Sequence, residues 1–125
     1  MDAPANLKYT KSDEWFDPET GKMGLTDYAQ DQLSDIVFVE LLVEVDDDAE
    51  AGSPIASVES VKASAETYAS ANGKVVAVNE ALADNPEVLN SDPYGEGWMV
   101  QVEGGEPGEV MDAAAYEKYC EEREH

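Results

Sequence analysis

Residues 55–78, IASVESVKASAETYASANGKVVAV, decide the fold because they predict a β-hairpin with Lys62 near its tip. Before the tip, the alternate residues of Ile55–Ser60 put both apolar and polar side chains on each face of the strand. This indicates a short, partly buried strand. After the tip, Ala63–Ala69 predicts a second, polar strand. Neither run has a helical period, and the residues Ala71-Asn72-Gly73 form a strong turn signal. The hairpin tip is expected at Val61-Lys62, although no glycine marks a tight turn there.

The sequence before the hairpin predicts two strands, one helix and a buried strand. Leu7–Phe16 mixes aromatic and polar residues as a strand does, and a turn with Pro and Gly separates it from a second strand at Lys22–Leu25. Thr26 is placed to N-cap a short helix that runs through Leu33. Ile36–Leu41 is rich in β-branched and aromatic residues, which predicts a strand with at least one fully buried face.

The sequence after the hairpin predicts two more strands with brief helical turns between them. Lys74–Val78 is a short apolar run that follows the turn signal. Asn79 and Asn85-Pro86 offer caps for two helical turns. Trp98–Val102 predicts a strand with its alternate apolar residues on one face. Three large aromatic side chains are expected in the core rather than at a cofactor: Trp15, Tyr28 and Trp98.

The C-terminal segment predicts a helix that packs on the sheet. Asp112 can cap a helix over Ala113–Glu122, and residues 121–125 are expected to fray. The apolar stripe of this helix follows the i, i+3, i+4 spacing and consists of Tyr116, Tyr119 and Cys120.

Length and charge narrow the possible functions. The 125 residues, 42% hydrophobic, suit a single domain over 1–125, with a core over about 7–122 and flexible ends at 1–6 and 123–125. Seven Lys and Arg residues against 29 Asp and Glu residues give a net charge of −22. Such a charge repels phosphate backbones and anionic lipids, which disfavours nucleic-acid and membrane partners.

The acidic residues are spread from Asp2 to Glu124, which favours a property of the whole surface over an acidic tail. Salt at ~1 M shortens the screening length to ~3 Å and removes most of the self-repulsion of such a surface. We therefore expect a halophilic origin. The alternative is a solvated surface that serves only to keep the protein soluble.

Residues that most catalytic and metal sites need are scarce. The only histidine is the last residue, His125, and the only cysteine is Cys120. A His-based triad or a Cys/His zinc site would have to form at the terminus, so we expect no catalytic residue and no metal site. One cysteine and no N-terminal apolar run favour a cytoplasmic location. No apolar stretch approaches the ~20 residues of a membrane helix.

Lys62 has an ordinary explanation and a chemical one. A lysine at a hairpin tip is usually only solvated. Acylation of its amine, however, removes the charge and can attach a long tether. A protein that presents a covalent cofactor needs its attachment lysine exposed on a stiff turn of a rigid β scaffold, which is the predicted setting of Lys62.

Glu59-Ser60-Val61-Lys62-Ala63 resembles the lipoylation motif of the glycine cleavage system H-protein family, whose members carry lipoic acid on one lysine. The resemblance runs from about Leu7 into the C-terminal helix. It implies a mainly β fold of the lipoyl/biotinyl-carrier type, a flattened β-barrel or hybrid barrel-sandwich with short helices and a C-terminal α-helix. Further segments resemble this family in the family's order: GLTDYAQDQL (24–33), DIVFVEL (35–41), VNEAL (78–82), NP (85–86) and NSDPYGEGWM (90–99).

The resemblance also implies a function for the chain as a carrier that is not itself an enzyme. Lipoate-attaching enzymes would convert Lys62 to N6-lipoyl-lysine. The arm would take the aminomethyl group of glycine from the pyridoxal-phosphate-dependent decarboxylase (P-protein) to the folate-dependent aminomethyltransferase (T-protein). Dihydrolipoamide dehydrogenase (L-protein) would then reoxidise it. The arm that bears the aminomethyl group, called the loaded arm below, would fold into a surface cleft whose matching residues are Ser12, Glu14 and Glu66.

Other carrier classes share the hairpin lysine. Biotin carriers usually place Met on both sides of that lysine, where this chain has Val61 and Ala63. An H-like protein that relays lipoyl groups to other proteins, or a lipoyl domain of another complex, remains an alternative.

The chain departs from the usual residues of the H-protein family in several loops. Asp13 stands where the family usually has His, Ser34 where it has Gly, and Leu42 and Ser70 where it has Pro.

Overall fold

The structure, a computed structural model, describes residues 3–123. Its fold is mainly β with short helices and a C-terminal helix, as the sequence predicts. The strands are β1 (Lys8–Tyr9), β2 (Glu14–Phe16), β3 (Lys22–Leu25), β4 (Ile36–Leu41), β5 (Asp48–Ala49), β6 (Pro54–Ser60), β7 (Ser64–Tyr68), β8 (Ala71–Val78) and β9 (Val100–Pro107). The helices are α1 (Asp27–Leu33), α2 (Ala81–Asp84), α3 (Val88–Ser91) and α4 (Ala113–Arg123).

The strands form two antiparallel sheets. One has six strands in the order β1-β2-β3-β9-β8-β5, and the other has three in the order β4-β6-β7. A closed barrel needs hydrogen bonds between the edge strands of neighbouring sheets. Among residues 3–123 no strand pairing joins the two sheets, so the expected sandwich is present but is not closed into a barrel.

Two apolar clusters hold the elements together. The larger lies between the sheets and includes the fully buried Met23, Ile55 and Val75. The smaller lies under α4, where the rings of Tyr9 and Tyr116 stack with centroids 4.7 Å apart. Burial of large aromatic side chains of this kind contributes several kcal/mol each, on the order of 3–5 by truncation. The smaller cluster therefore fixes α4 on the N-terminal strands.

Residues 7–16 form the β1–β2 hairpin rather than the single predicted strand. The chain turns at Asp13, which has a left-handed backbone with φ of +73° and donates its N–H to the carbonyl of Thr10 at 3.2 Å. Aspartate tolerates this conformation better than most residues. The polar residues between the two strands are therefore a turn.

The burial of β4 and β6 differs from the prediction in opposite directions. β6 is the central strand of its sheet, so its residues Ile55 and Val58 are at most 1% exposed rather than partly buried. In β4 a bulge between Ile36 and Phe38 breaks the alternation. Phe38 is consequently 49% exposed, and the expected fully buried face does not form.

The predicted turn at residues 71–73 lies inside β8 as a bulge. A Cβ at Gly73 would lie 2.9 Å from the carbonyl oxygen of Glu103, so the glycine permits close approach of β9. β9 begins at Val100, and Trp98 precedes it, partly exposed with Lys22 Nζ 5.0 Å from its ring centre. Trp98 is therefore only partly buried and packs against the smaller cluster, whereas Trp15 and Tyr28 are buried as predicted.

The predicted helices form, but two of the expected caps are wrong. The Asn79 side chain donates to two loop carbonyls instead of capping α2, and Glu87 precedes α3 where Asn85 was expected to cap. Asp112 caps α4 as predicted, since its Oδ1 accepts from the N–H of Ala115 at 2.8 Å. The helix continues to Arg123, one residue beyond the predicted end at Glu122.

The chain ends fall partly outside what the structure describes. Met1, Asp2, Glu124 and His125 lie outside the described residues, and both the flexible ends and the single domain with a core over 7–122 stay predictions. The hydroxyl of Tyr9 donates to the carbonyl of Pro4 at 2.6 Å.

Within residues 3–123, none of the helices has the length and apolar character needed to cross a membrane.

Candidate functional site

The hairpin tip, residues 61–63 between β6 and β7, presents Lys62 on a turn organised by Ser60. The Ser60 Oγ accepts from the N–H groups of Lys62 at 3.2 Å and of Ala63 at 3.0 Å. The Ser60 N–H donates to the carbonyl of Ala63 at 2.7 Å. Because one side chain satisfies the N–H groups of both Lys62 and Ala63, the turn is stiff without a glycine. Lys62 is exposed at its end.

Three exposed apolar side chains lie at the tip or on the neighbouring strand β4. Val37, Phe38 and Val61 are 53%, 49% and 66% exposed, and we call them the apolar patch. The N–H of Val61 donates to the carbonyl of Asp35 at 3.0 Å, and Phe38 pairs with Glu59 across β4 and β6. The patch thus lies beside Lys62. Sequence reasoning missed it because β-branched and aromatic residues of β4 were expected to be buried.

Glu14 is a buried carboxyl group in a polar pocket. It is 1% exposed, and its Oε1 accepts from the hydroxyls of Ser12 at 2.6 Å and Thr10 at 2.7 Å. Its Oε2 accepts from the backbone N–H of Tyr68 at 3.2 Å. Burial raises the pKa of Glu14 from 4.5 to about 7, although these hydrogen bonds oppose the shift. Glu14 can therefore change its charge near neutral pH.

The structure brings Ser12 and Glu14 together but places Glu66 apart from them. Glu66 is exposed on β7, and in the described residues no hydrogen bond joins it to either side chain. It precedes Tyr68, whose N–H binds Glu14, so it lies along the strand that leads from the tip to the Glu14 pocket. Sequence reasoning missed Thr10 and the Tyr68 N–H, which only the folded chain brings to Glu14.

A groove lies at the end of the hairpin remote from Lys62. Its volume is about 760 Å³, and Ser12, Ala69 and Ser70 are among its lining residues. The six residue steps from Lys62 to Tyr68 span roughly 20 Å in extended backbone. A tether on Lys62 would therefore have to run along β7 to reach Glu14 and this groove.

Comparison with known proteins places this geometry in one family. The model of the Glycine cleavage H-protein family matches residues 7–124. The chain belongs to the glycine cleavage H-protein family. The glycine cleavage system H protein of Deinococcus deserti is 50% identical over 118 residues, which cover 94% of this chain and 97% of that protein. The glycine cleavage system H protein of Anaeromyxobacter sp. (strain K) is 44% identical over 129 residues, which cover 99% of this chain and 100% of that protein.

A solved structure agrees with this assignment. The crystal structure of a glycine cleavage system H protein from Mycobacterium marinum superposes with a TM-score of 0.82 at 33% identity, covering 98% of this chain and 99% of that one. As an H-protein, the chain is a lipoyl carrier of the glycine cleavage system and a carrier subunit rather than a catalytic enzyme. The family carries lipoate, and its partners are the enzymes of that system.

Proposed function

We propose that Lys62 bears the lipoyl group as N6-lipoyl-lysine, and that lipoate-attaching enzymes recognise Glu59, Ser60, Val61 and Ala63 around it. The turn organised by Ser60 carries this proposal, because it holds an exposed amine at the end of two paired strands. Among the described residues no ion pair engages the Lys62 ammonium. The residues present therefore suit covalent attachment of an arm.

The partners we propose are the P-protein, the T-protein and the L-protein, between which the arm on Lys62 moves. The lipoyl group would supply a disulfide that is reduced when one of its sulfurs takes up the aminomethyl group of glycine, and the L-protein would reoxidise the dithiol that remains after the group has left. The chain contributes position, because a tethered group searches nearby active sites at high effective concentration. The apolar patch supports brief docking at the tip. A net charge of −22 gives no long-range attraction to an acidic partner, so short-range apolar contact would have to stabilise the complex.

We propose that Ser12 and Glu14 hold the loaded arm, with Glu66 beside its path along β7. An ionised Glu14 suits a protonated amine, and its buried setting strengthens that contact and excludes water. The hydroxyl groups of Ser12 and Thr10 keep the carboxylate oriented. The cleft would thereby slow hydrolysis of the aminomethyl group.

A reconstituted system tests the shuttle role. Release of labelled CO₂ from glycine is measured with the P-, T- and L-proteins and with this chain after exposure to lipoate-attaching enzymes. Lys62→Arg is expected to abolish turnover, whereas Lys118→Arg, on an exposed face of α4, is expected to retain it. Turnover by Lys62→Arg at the wild-type rate would contradict the proposal.

The cleft is tested separately from the shuttle. Glu14→Gln keeps the shape and the acceptor oxygen but loses the charge, so the loaded arm should hydrolyse faster while lipoylation is unchanged. Glu19→Gln removes an exposed carboxylate and serves as the control. An unchanged lifetime in Glu14→Gln would remove Glu14 from the cleft.

The runner-up function, relay of lipoyl groups to other proteins, uses the same lysine. Transfer of labelled lipoyl groups from Lys62 to a second carrier without glycine turnover would favour it. We propose a cytoplasmic location for either function, supported by the single cysteine, Cys120, which is free and buried.

A further inference from the structure

The end of α4 reaches the turn between β1 and β2, which contains Ser12 and directly precedes Glu14. Arg123 Nη2 donates to Asp13 Oδ1 at 2.6 Å, and Nη1 donates to Asp13 Oδ2 at 3.2 Å. A bidentate contact of this kind fixes both the orientation of the guanidinium and its distance from the carboxylate. The side chains of Arg123 and Asp13 are only 29% and 19% exposed, so water screens the pair incompletely.

The Arg123 guanidinium is itself held in place by two rings. It lies 4.4 Å from the centre of the Tyr28 ring on α1 and 4.3 Å from the centre of the Tyr119 ring on α4. Cation–π attraction on both sides restricts where the guanidinium can lie. The cation that meets Asp13 is therefore positioned by two separate helices.

Asp13 is the junction between this cation and the polar turn. Its Oδ1 also accepts from the hydroxyl of Tyr116 at 2.9 Å, and its carbonyl accepts from the N–H of Thr26 at 3.1 Å. Burial raises the pKa of Tyr116, so that hydroxyl keeps its proton and donates. The left-handed backbone of Asp13, with φ of +73°, costs free energy that these contacts offset.

We propose that Arg123 is a positioning residue for the Ser12–Glu14 site and acts on it through Asp13. Asp13 separates Ser12 from Glu14 in the chain, so its backbone angle sets how the Ser12 hydroxyl meets the Oε1 of Glu14. The inference rests on the proposed role of Glu14 in holding the loaded arm. Arg123 also neutralises the carboxylate of Asp13, whose negative charge acts on Glu14. The other groups that act on Glu14 are the hydroxyls of Ser12 and Thr10 and the N–H of Tyr68.

The test compares Arg123→Gln with Lys118→Gln, which removes a charge from the same helix away from Asp13. The loaded-arm lifetime of Arg123→Gln should fall by about 3- to 10-fold, the effect of one lost hydrogen bond. Its Glu14 carboxyl carbon, followed by NMR without lipoate, should titrate at a higher pH by roughly half a pH unit, because Asp13 is no longer neutralised. Lys118→Gln should change neither quantity.

A cycle with Asp13→Asn separates positioning from simple docking of α4. Asparagine tolerates the left-handed backbone but lacks the charge, so Arg123→Gln should have little further effect on lifetime in that background. Equal effects of Arg123→Gln in both backgrounds, or an unmoved Glu14 titration, would overturn the inference. If Glu14→Gln leaves the lifetime unchanged, the proposed cleft fails, and the titration alone then decides whether Arg123 acts on Glu14.

Discussion

Ser60 and Glu14 show how single side chains prepare the two ends of the hairpin. The Ser60 hydroxyl accepts from the N–H groups of Lys62 and Ala63, so Lys62 is displayed on a turn that resists deformation. Glu14 is held by two hydroxyls and the Tyr68 N–H at the other end. In the proposed function, one end bears the arm and the other receives the charge of the group that the arm carries.

Removal of the Ser60 hydroxyl should loosen the tip. Ser60→Ala leaves the N–H groups of Lys62 and Ala63 to water, so we expect a loss of about 1 kcal/mol in the free energy of unfolding. We also expect slower lipoyl attachment, measured by the rate of mass increase with a purified lipoate-attaching enzyme. Ser64→Ala, an exposed residue of the same hairpin, is the control, and equal rates for the two variants would contradict this role of Ser60.

The raised pKa of Glu14 predicts a specific pH dependence. At a pKa of about 7 folded and near 4.5 unfolded, Glu14 holds a proton in the folded protein that the unfolded chain releases between these values. Its contribution to stability is therefore full below pH 4.5 and is lost as pH rises through 7, by at most about 3 kcal/mol. Urea unfolding at pH 5 and pH 8 should show this loss in the wild type relative to Glu14→Gln. A constant difference would contradict the raised pKa.

At the scale of elements, β4 determines the surface beside Lys62. Its bulge turns Val37 and Phe38 outward at an edge of the three-stranded sheet, where a partner can cover them. Phe38→Ser should weaken docking of the P-protein, because it removes the largest side chain of the apolar patch. Titration calorimetry would measure this, with the exposed Val76→Ser on the other sheet as control. Equal affinities for both variants would exclude the patch from docking.

Sequence periodicity predicts the elements better than their exposure. The hairpin around Lys62 and helices α1 and α4 follow from local alternation, spacing and capping by Thr26 and Asp112, which the structure confirms. The bulge in β4 and the burial of β6 depend on which strands become neighbours, which local patterns do not encode. Similarly, the pairing of Arg123 with Asp13 joins residues far apart in the chain.

At the scale of the whole molecule, the charge of −22 is largely uncompensated. Residues 3–123 contain two ion pairs, Lys74 with Asp46 and Arg123 with Asp13. The first is widely exposed and contributes little. Most carboxylates therefore repel each other across the surface, and a host with high internal salt remains our proposal.

Salt should stabilise the folded protein if this repulsion matters. The melting temperature is expected to rise between dilute buffer and ~1 M KCl, because screening shortens the reach of the repulsion to ~3 Å. Sucrose at the same osmolality as the KCl would control for general stabilisation by cosolutes. A melting temperature independent of KCl would exclude adaptation to high salt.

The central claim, that Lys62 is the attachment point of the carrier, is tested most directly by the intact mass of the protein purified from its native cells. We predict an increment equal to one lipoyl group that peptide mapping assigns to Lys62, absent in Lys62→Arg and retained in Lys118→Arg. An unmodified Lys62 in cells that lipoylate their other carriers, or the same increment on a different lysine, would contradict the claim.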